Sequence, residues 1–297
     1  MPPVTTPYVS AEIASQPDCW RRAAALAGGP IEGLPQDGER VAFVGCGTSW
    51  FVGQALAGLR ESAGRGETDA FTASEMPDRR YDRVVALTRS GTTTEVVELL
   101  DRLRNRVPTT VVLGDLSTPA AGAADTVIDL SFADERSVVQ TRFATSTLAL
   151  FRAAWGEDVL ALADEADRVL AADLPAAAID VDQLTFLGHG WTVGIANEAA
   201  LKFRESSSSW AEAYPAFDYR HGPIAIAQPG RAVWMFGPAP DGLAGDVAAT
   251  GAGFIDQGLD AQVDLVLAQR VAVRRAVDLG LDPDRPRSLT RSVILPG

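Results

Sequence analysis

The sequence predicts an α/β protein built from two tandem, doubly wound parallel sheets. Short apolar runs alternate with amphipathic helical stretches through residues 40–115, the arrangement of a parallel sheet covered on both faces. The same strand, Gly-x-Gly turn and helix return roughly 140 residues later, a period too long for a solenoid and suited to two α/β domains. With 297 residues and 46% hydrophobic composition, the chain can bury a core in each.

Residues 1–40 read as a polar lead-in with a short helix, Cys19–Ala27, closed by Gly28, Gly29 and Pro30. In the first domain, residues 41–165, RVAFVGCG reads as a buried strand and SWFVGQALAGLRESAG as a helix. DRVVALTRSG and PTTVVLGD follow as strands, with the helix TTEVVELLDRLRNRV between them. After the short run DTVIDL, one long helix is expected from about Thr145 to Ala171, crossing into the second domain. That domain, residues 166–297, includes the C-terminal tail. There DQLTFLGHGWTVGIANEAALKFRE repeats ERVAFVGCGTSWFVGQALAGLRE in kind, RAVWMFGPAPDG stands where DRVVALTRSGTT stood, and AQVDLVL reads as a further strand.

Charge and composition narrow the function classes. A formal net charge of -13, from 39 acids and 26 bases, repels phosphate backbones and anionic membranes, so neither nucleic acid nor membrane is an expected partner. No run of about 18 apolar residues could span a bilayer, and the polar start has no signal-peptide pattern, so a cytoplasmic protein is expected. Two cysteines and two histidines make neither a disulfide framework nor a zinc site, and no metal or other cofactor is expected.

The loop LTRSGTTTE, Leu87–Glu95, lies between a strand and a helix N-terminus. Thr88, Ser90, Thr92, Thr93 and Thr94 surround Gly91, offering hydroxyls, backbone N–H groups and a positive helix end to an anion, for which phosphate is the natural occupant. An ordinary N-cap would need one hydroxyl, and this loop carries five. The earlier turn, Gly45–Ser49, lacks the third glycine of a dinucleotide fingerprint, Trp50 standing in its place. As a second loop on the same sheet edge, Gly47, Thr48 and Ser49 could complete one phosphate site with the first, while Cys46 reads as a packed turn residue. In the second half FGPAPDG has prolines and an aspartate instead of hydroxyls, so no equivalent cradle is expected there.

Lys202 is the only lysine among 26 basic residues. With Glu198 and Glu205 it falls at i, i+4 and i+7, on one helix face within about 60°. Solvated ion pairs would give the same spacing. Two features favour chemistry. The helix starts directly after the Gly188–Gly190 turn, at the ligand edge of its sheet, and lysine, compact and tunable in pKa, has been kept where arginine serves everywhere else. His221 lies beside Gly222 and Pro223, which can present it from a loop. A lone histidine is more often structural, and His189 inside its Gly-His-Gly turn is read that way.

Taken together, FVGCGTS, LTRSGTTTE, FLGHG, NEAALKFRES, AEAY, HGPIAI and DRPRSLTRSV resemble the sugar isomerase (SIS) domain family, in the double-SIS form found as the isomerase portion of glucosamine-6-phosphate synthases. The resemblance covers about residues 40–297 and implies two flavodoxin-like, three-layer α/β/α domains. It implies phosphate-binding hydroxyls at Ser49, Thr88, Ser90 and Thr93, a proton-transferring glutamate at Glu205 and a ring-opening histidine at His221. Lys202 and Glu198 would support the sugar and that glutamate. The histidine usually comes from the neighbouring subunit, so a homodimer is implied. The chain departs from the pattern at Arg291, a catalytic candidate where the synthases carry a lysine and where arginine can hold a hydroxyl or stabilise an enediolate, and at Arg89, where they have a glutamine and where arginine offers a bidentate phosphate contact. Gln140 replaces a small hydroxyl residue that touches the sugar.

What the resemblance implies is an aldose–ketose rearrangement of a hexose 6-phosphate, an amino sugar in particular, run as isomerisation or with loss of ammonia. About 40 residues precede the first strand and no cysteine follows Met1, so no glutamine-hydrolysing domain is expected, which favours deamination. A deglycase acting on a glycated-amine 6-phosphate would use the same parts. The rival class is a non-catalytic sugar-phosphate sensor, which would need the hydroxyl loop but not Glu205, Lys202 and His221 together.

Overall fold

The structure, a computed structural model, describes residues 6–295. Helices α1 (Tyr8–Ala14) and α2 (Gln16–Ala27) lead to β1 (Val41–Gly45), α3 (Thr48–Ser62), β2 (Thr68–Thr72), β3 (Arg83–Thr88) and α4 (Thr94–Leu103). Then come β4 (Thr109–Leu113), α5 (Pro119–Ala123), β5 (Thr126–Asp129), α6 (Arg142–Ala154) and α7 (Val159–Ala171). The later part holds β6 (Gln183–Gly188), α8 (Thr192–Ser207), β7 (Trp210–Pro215), β8 (Arg231–Phe236), α9 (Leu243–Ala249), β9 (Gly253–Asp256) and α10 (Ala261–Asp278).

Two compact units form, and they do not follow chain order. The first unit comprises residues 18–135, 142–160 and 290–295; the second comprises 6–17, 136–141 and 161–289. The C-terminal tail thus belongs with the first sheet, and α1 with the second.

In the first unit all strand pairs are parallel, in the order β2-β1-β3-β4-β5. Val41–Val44, Val84–Leu87 and Val111–Leu113 are buried throughout, as strands covered on both faces must be. The chain leaves β1 for one neighbour and reaches β3 on the other side, so the carboxyl ends of β1 and β3 flank a topological switch point, where sheets of this kind open a crevice. The turns Gly45–Ser49 and Thr88–Thr93 stand at those two strand ends.

The second unit has the parallel order β7-β6-β8-β9. Alternating side chains divide its core in two. Phe186, Trp234 and Phe236 pack on one face, where Phe186 also meets Phe203 of α8 at 5.1 Å between ring centroids. Leu187, Val233 and Met235 pack on the other with Leu243 and Val247 of α9.

Three sequence expectations change. AQVDLVL is the start of α10, not a strand: Asp260 accepts a hydrogen bond from the Gln262 N–H at 2.9 Å, and the helix is buried along most of its length. A short continuous apolar run has no period that separates a buried strand from a buried helix. The helix expected from Thr145 to Ala171 is broken into α6 and α7 around Gly156, whose φ of +95° no helix can contain. Strand β7 falls within Leu201–Pro223, a stretch in which the sequence points to chemistry and to no strand.

Candidate active site

At the end of β1, Gly45 permits close approach of the next turn: a Cβ there would lie 2.7 Å from that of Ser49. Thr48 and Ser49 are buried at the start of α3, and Gly47 precedes them with φ +55°. Burial is the main reason the Cys46 thiol is pushed up, which keeps it neutral in this turn. At the end of β3, Gly91 takes φ +61°. The Gly91 N–H donates to Thr88 Oγ1 at 3.2 Å and the Thr92 N–H to Ser90 Oγ at 3.3 Å. Both hydroxyls accept in these bonds, so each keeps its proton to offer elsewhere. Thr93 is the N-cap of α4 but makes no side-chain capping bond.

The C-terminal tail runs along this loop. Thr92 Oγ1 and Ser292 Oγ are 2.8 Å apart, the Thr94 N–H donates to the Val293 carbonyl at 3.2 Å, and the Leu295 N–H donates to Thr94 Oγ1 at 3.0 Å. One of the N-terminal amides of α4 is therefore engaged by the tail. Arg291 Nη2 lies 2.5 Å from Asp134 Oδ1, and Arg291 Nη1 donates to the Glu135 carbonyl. Arg89 is 1% exposed: its Nη2 donates to the Arg291 carbonyl at 2.9 Å, and its Nη1 is 3.8 Å from Glu135 Oε2. In this arrangement Arg89 joins the tail and a buried carboxylate beneath the loop. Glu135, which the sequence reading missed, also accepts the Arg142 N–H at 2.8 Å. Its signal in the sequence was only an acid next to an acid.

The second unit shows why its equivalent turn differs. A Cβ on Gly188 would lie 2.3 Å from the Thr192 carbonyl oxygen, matching the close approach at Gly45. The Thr192 hydroxyl, however, receives the His189 N–H at 2.8 Å and bonds the Phe236 carbonyl at 2.8 Å. It is consumed inside the turn.

On α8, Glu198 and Lys202 are 0% and 1% exposed, so this face is not the solvated row of ion pairs that its spacing also allowed. Lys202 Nζ lies 3.4 Å from Glu198 Oε1 and donates to Glu205 Oε2; the Glu205 side chain is 19% exposed. One ammonium thus bridges two carboxylates, of which only Glu205 reaches solvent. Arg204, also missed, donates to the Ala211 carbonyl at 2.8 Å. Burial lowers its pKa, while Glu205 and Glu198 work against that shift. The sequence reading put this helix's early residues at the ligand edge of the sheet. Glu205 is near the other end, two residues before Ser207 and about 20 Å of helix rise from Thr192, so the group is no part of a switch-point site in its own sheet.

His221 is exposed, on a separate short turn, Tyr219–His221, whose Tyr219 is buried, ahead of Gly222 with φ +146°. Gln140 is partly buried in the segment 136–141, and its Oε1 has no hydrogen-bond partner among the described residues. Among the described residues no group of three His, Cys, Asp or Glu side chains could hold a metal, and no helix is long and apolar enough to cross a membrane.

Residues 36–155, which contain the β1 and β3 turns, match the SIS domain family. Over those residues the chain is similar to a SIS domain. A glutamine–fructose-6-phosphate aminotransferase (isomerizing) from Methanothermobacter thermautotrophicus is 29% identical over 309 residues, 86% of this chain and 51% of the relative. The chain spans about half the length of the curated relatives it matches. Among solved structures, a glucosamine-6-phosphate deaminase from Thermotoga maritima superposes with a TM-score of 0.80 at 24% identity, covering 97% of this chain and 100% of that one. A tagatose-6-phosphate ketose/aldose isomerase from Escherichia coli gives 0.73 at 19% identity, covering 98% and 99%. At these identities the solved structures speak to the fold alone.

Proposed function

We propose that this protein belongs to the SIS family and is an aldose–ketose isomerase of hexose 6-phosphates, with an amino sugar phosphate as substrate and ammonia released in the deaminating direction. The observation that carries this reading is the buried Glu198–Lys202–Glu205 group on α8, with one carboxylate open to solvent beside an ammonium. The names of the aminotransferase, the deaminase and the ketose/aldose isomerase that the chain resembles, three sugar-phosphate enzymes, support the substrate class.

In this reading Ser49, Thr88, Ser90 and Thr93, with backbone amides around Gly47 and Thr48, bind the phosphate dianion. That binding, remote from the reacting carbons, orients C1 and C2. His221 moves the proton that opens the ring. Glu205 takes the proton from C2 and returns it to C1. Lys202 stabilises the negative charge that develops on the oxygen of the enediolate, or of its amino counterpart. With an amino group on C2, proton transfer leaves an imine at that carbon; water adds to it, and ammonia departs as the ketose 6-phosphate forms. Glu198 holds Lys202 in place from the buried side, and Arg89 and Arg291 secure the loop and tail and do not touch phosphate in this reading. The homodimer with His221 acting in trans belongs to the same proposal.

Incubation with glucosamine 6-phosphate and with fructose 6-phosphate, following ammonia and ketose or aldose, tests it. Wild-type turnover that disappears in Glu205→Gln while phosphate-ligand binding persists supports the reading. Binding of sugar phosphates without any product would identify a sensor instead, and unchanged turnover in the variant would remove Glu205 from the chemistry.

A further inference from the structure

The buried carboxylate of Glu12, 4% exposed, has no place in the chemistry above. It accepts the Arg136 N–H at 2.6 Å and the Ser137 N–H at 3.2 Å, and the Ser137 hydroxyl meets its other oxygen. Three donors from two consecutive residues converge on one side chain. Around it, α1 and the segment 136–141 are fastened at further points. The Asp284 carboxylate accepts the Tyr8 and Val9 N–H groups at 2.7 and 2.8 Å, and the Asp284 carbonyl accepts the Val138 N–H at 2.9 Å. The Arg136 guanidinium lies 4.0 Å from the centre of the Tyr8 ring. The segment so fastened has no helix or strand of its own, so its shape depends on these bonds. It carries Gln140, whose buried amide oxygen has no hydrogen-bond partner among the described residues.

We infer that Glu12 is a positioning residue for the sugar-contacting segment 136–141: it fixes the backbone at Arg136 and Ser137, and through it the place of the Gln140 amide. This rests on the reading of Gln140 as a sugar contact. An acceptor left without a partner in the protein is costly, and a ligand hydroxyl can supply the missing bond only if the segment is held to within a fraction of an ångström. A carboxylate suits the task because both of its oxygens accept. In Glu12→Gln the shape is kept and the amide oxygen can still accept both backbone N–H groups, while the Ser137 hydroxyl turns to the Val139 carbonyl at 2.7 Å; the charge is lost, and bonds to a neutral acceptor are about half as strong as those to a carboxylate.

Titration calorimetry with two ligands tests this: inorganic phosphate, and glucosamine or fructose 6-phosphate. Glu12→Gln is expected to weaken sugar-phosphate binding roughly tenfold, the loss of about one well-placed hydrogen bond, and to leave inorganic phosphate binding unchanged. In turnover KM rises with kcat kept. Gln140→Ala gives the same loss, and the double variant no more than either. Should Glu12→Gln fold poorly, Ser137→Ala, which keeps both backbone donors, carries the same comparison with a smaller loss. Equal weakening of both ligands, no weakening, or additive losses would overturn the positioning role. A wild-type chain that binds no hexose 6-phosphate overturns the functional reading and this inference together, whereas wild-type binding untouched by Glu12→Gln overturns this inference alone.

Discussion

Lys202 Nζ lies 3.4 Å from Glu198 Oε1 with both side chains out of solvent, while Glu205, which receives the same ammonium, stays partly open. The two ion pairs therefore differ in what their loss costs. Lys202→Met takes the cation from a buried carboxylate and is expected to destabilise the second unit by about 3–5 kcal/mol. Glu198→Leu combined with Lys202→Met restores much of that, since an apolar pair in place of a buried ionic one is often neutral. Glu205→Gln changes stability by less than about 1 kcal/mol while abolishing turnover. Denaturant unfolding of the four proteins checks the order.

The tail meets the Thr88–Thr94 loop through Ser292, Val293 and Leu295 and is anchored beside it by Arg291, whose guanidinium bonds Asp134 and the Glu135 carbonyl. The Arg291 and Asp134 side chains are 36% and 34% exposed, so solvent screening holds the ion pair to roughly 1 kcal/mol. Arg291→Ala is expected to speed amide exchange about fivefold at Thr94 and Leu295, the two donors of the tail contact, with β3 amides unaffected. Hydrogen exchange resolved by residue measures this. Equal acceleration in β3 would mean that the whole unit had loosened.

Gly91 combines a left-handed backbone with contact: a Cβ would stand 1.9 Å from Thr118 Oγ1, a hydroxyl already bonded to the Asp115 carbonyl at 2.7 Å. Gly91→Ala should cost at least about 2 kcal/mol, from φ strain and displacement of Thr118, and should weaken inorganic phosphate binding. Adding Thr118→Gly removes the closest clash but neither the contact with Leu113 Cδ2 at 2.9 Å nor the strain, so only part of the stability returns. Thermal unfolding and phosphate titration of both variants check this.

The first sheet was legible because its strands are apolar runs ended by Gly-containing turns, and the Gly91 loop because five hydroxyls exceed what capping needs. The short edge strands β2 and β9 carry no such signal, and β7 hides among polar and aromatic residues. The spacing of Glu198, Lys202 and Glu205 gave their shared face but not their burial, which depends on the packing of α8 against the second sheet and α10. Arg89 illustrates the limit most clearly. A guanidinium in a hydroxyl-rich loop at a strand end invites an anion contact, yet its partners, Glu135 and the Arg291 carbonyl, lie 46 and 202 residues away in sequence, beyond any local pattern.

Asp264, 2% exposed on α10, offers a titration that the chemistry does not need. Its Oδ2 accepts the Trp234 Nε1–H at 3.0 Å, and its Oδ1 has no hydrogen-bond partner among the described residues. Burial raises its pKa from 3.8 to about 7, Asp256 adding to the rise and the Trp234 bond opposing it. Between these values the folded chain holds a proton that the unfolded chain has released, so this contribution to stability is full below about pH 4, falls as pH rises, and is gone above about pH 7. The slope approaches about 1.4 kcal/mol per pH unit within that window. Asp264→Asn keeps the Trp234 bond through its amide oxygen and cannot titrate, so it should flatten the profile and exceed wild type in stability at pH 8. Urea midpoints for both proteins at pH 5, 6, 7 and 8 measure the difference, and a slope that survives in Asp264→Asn would assign the pH dependence to other groups.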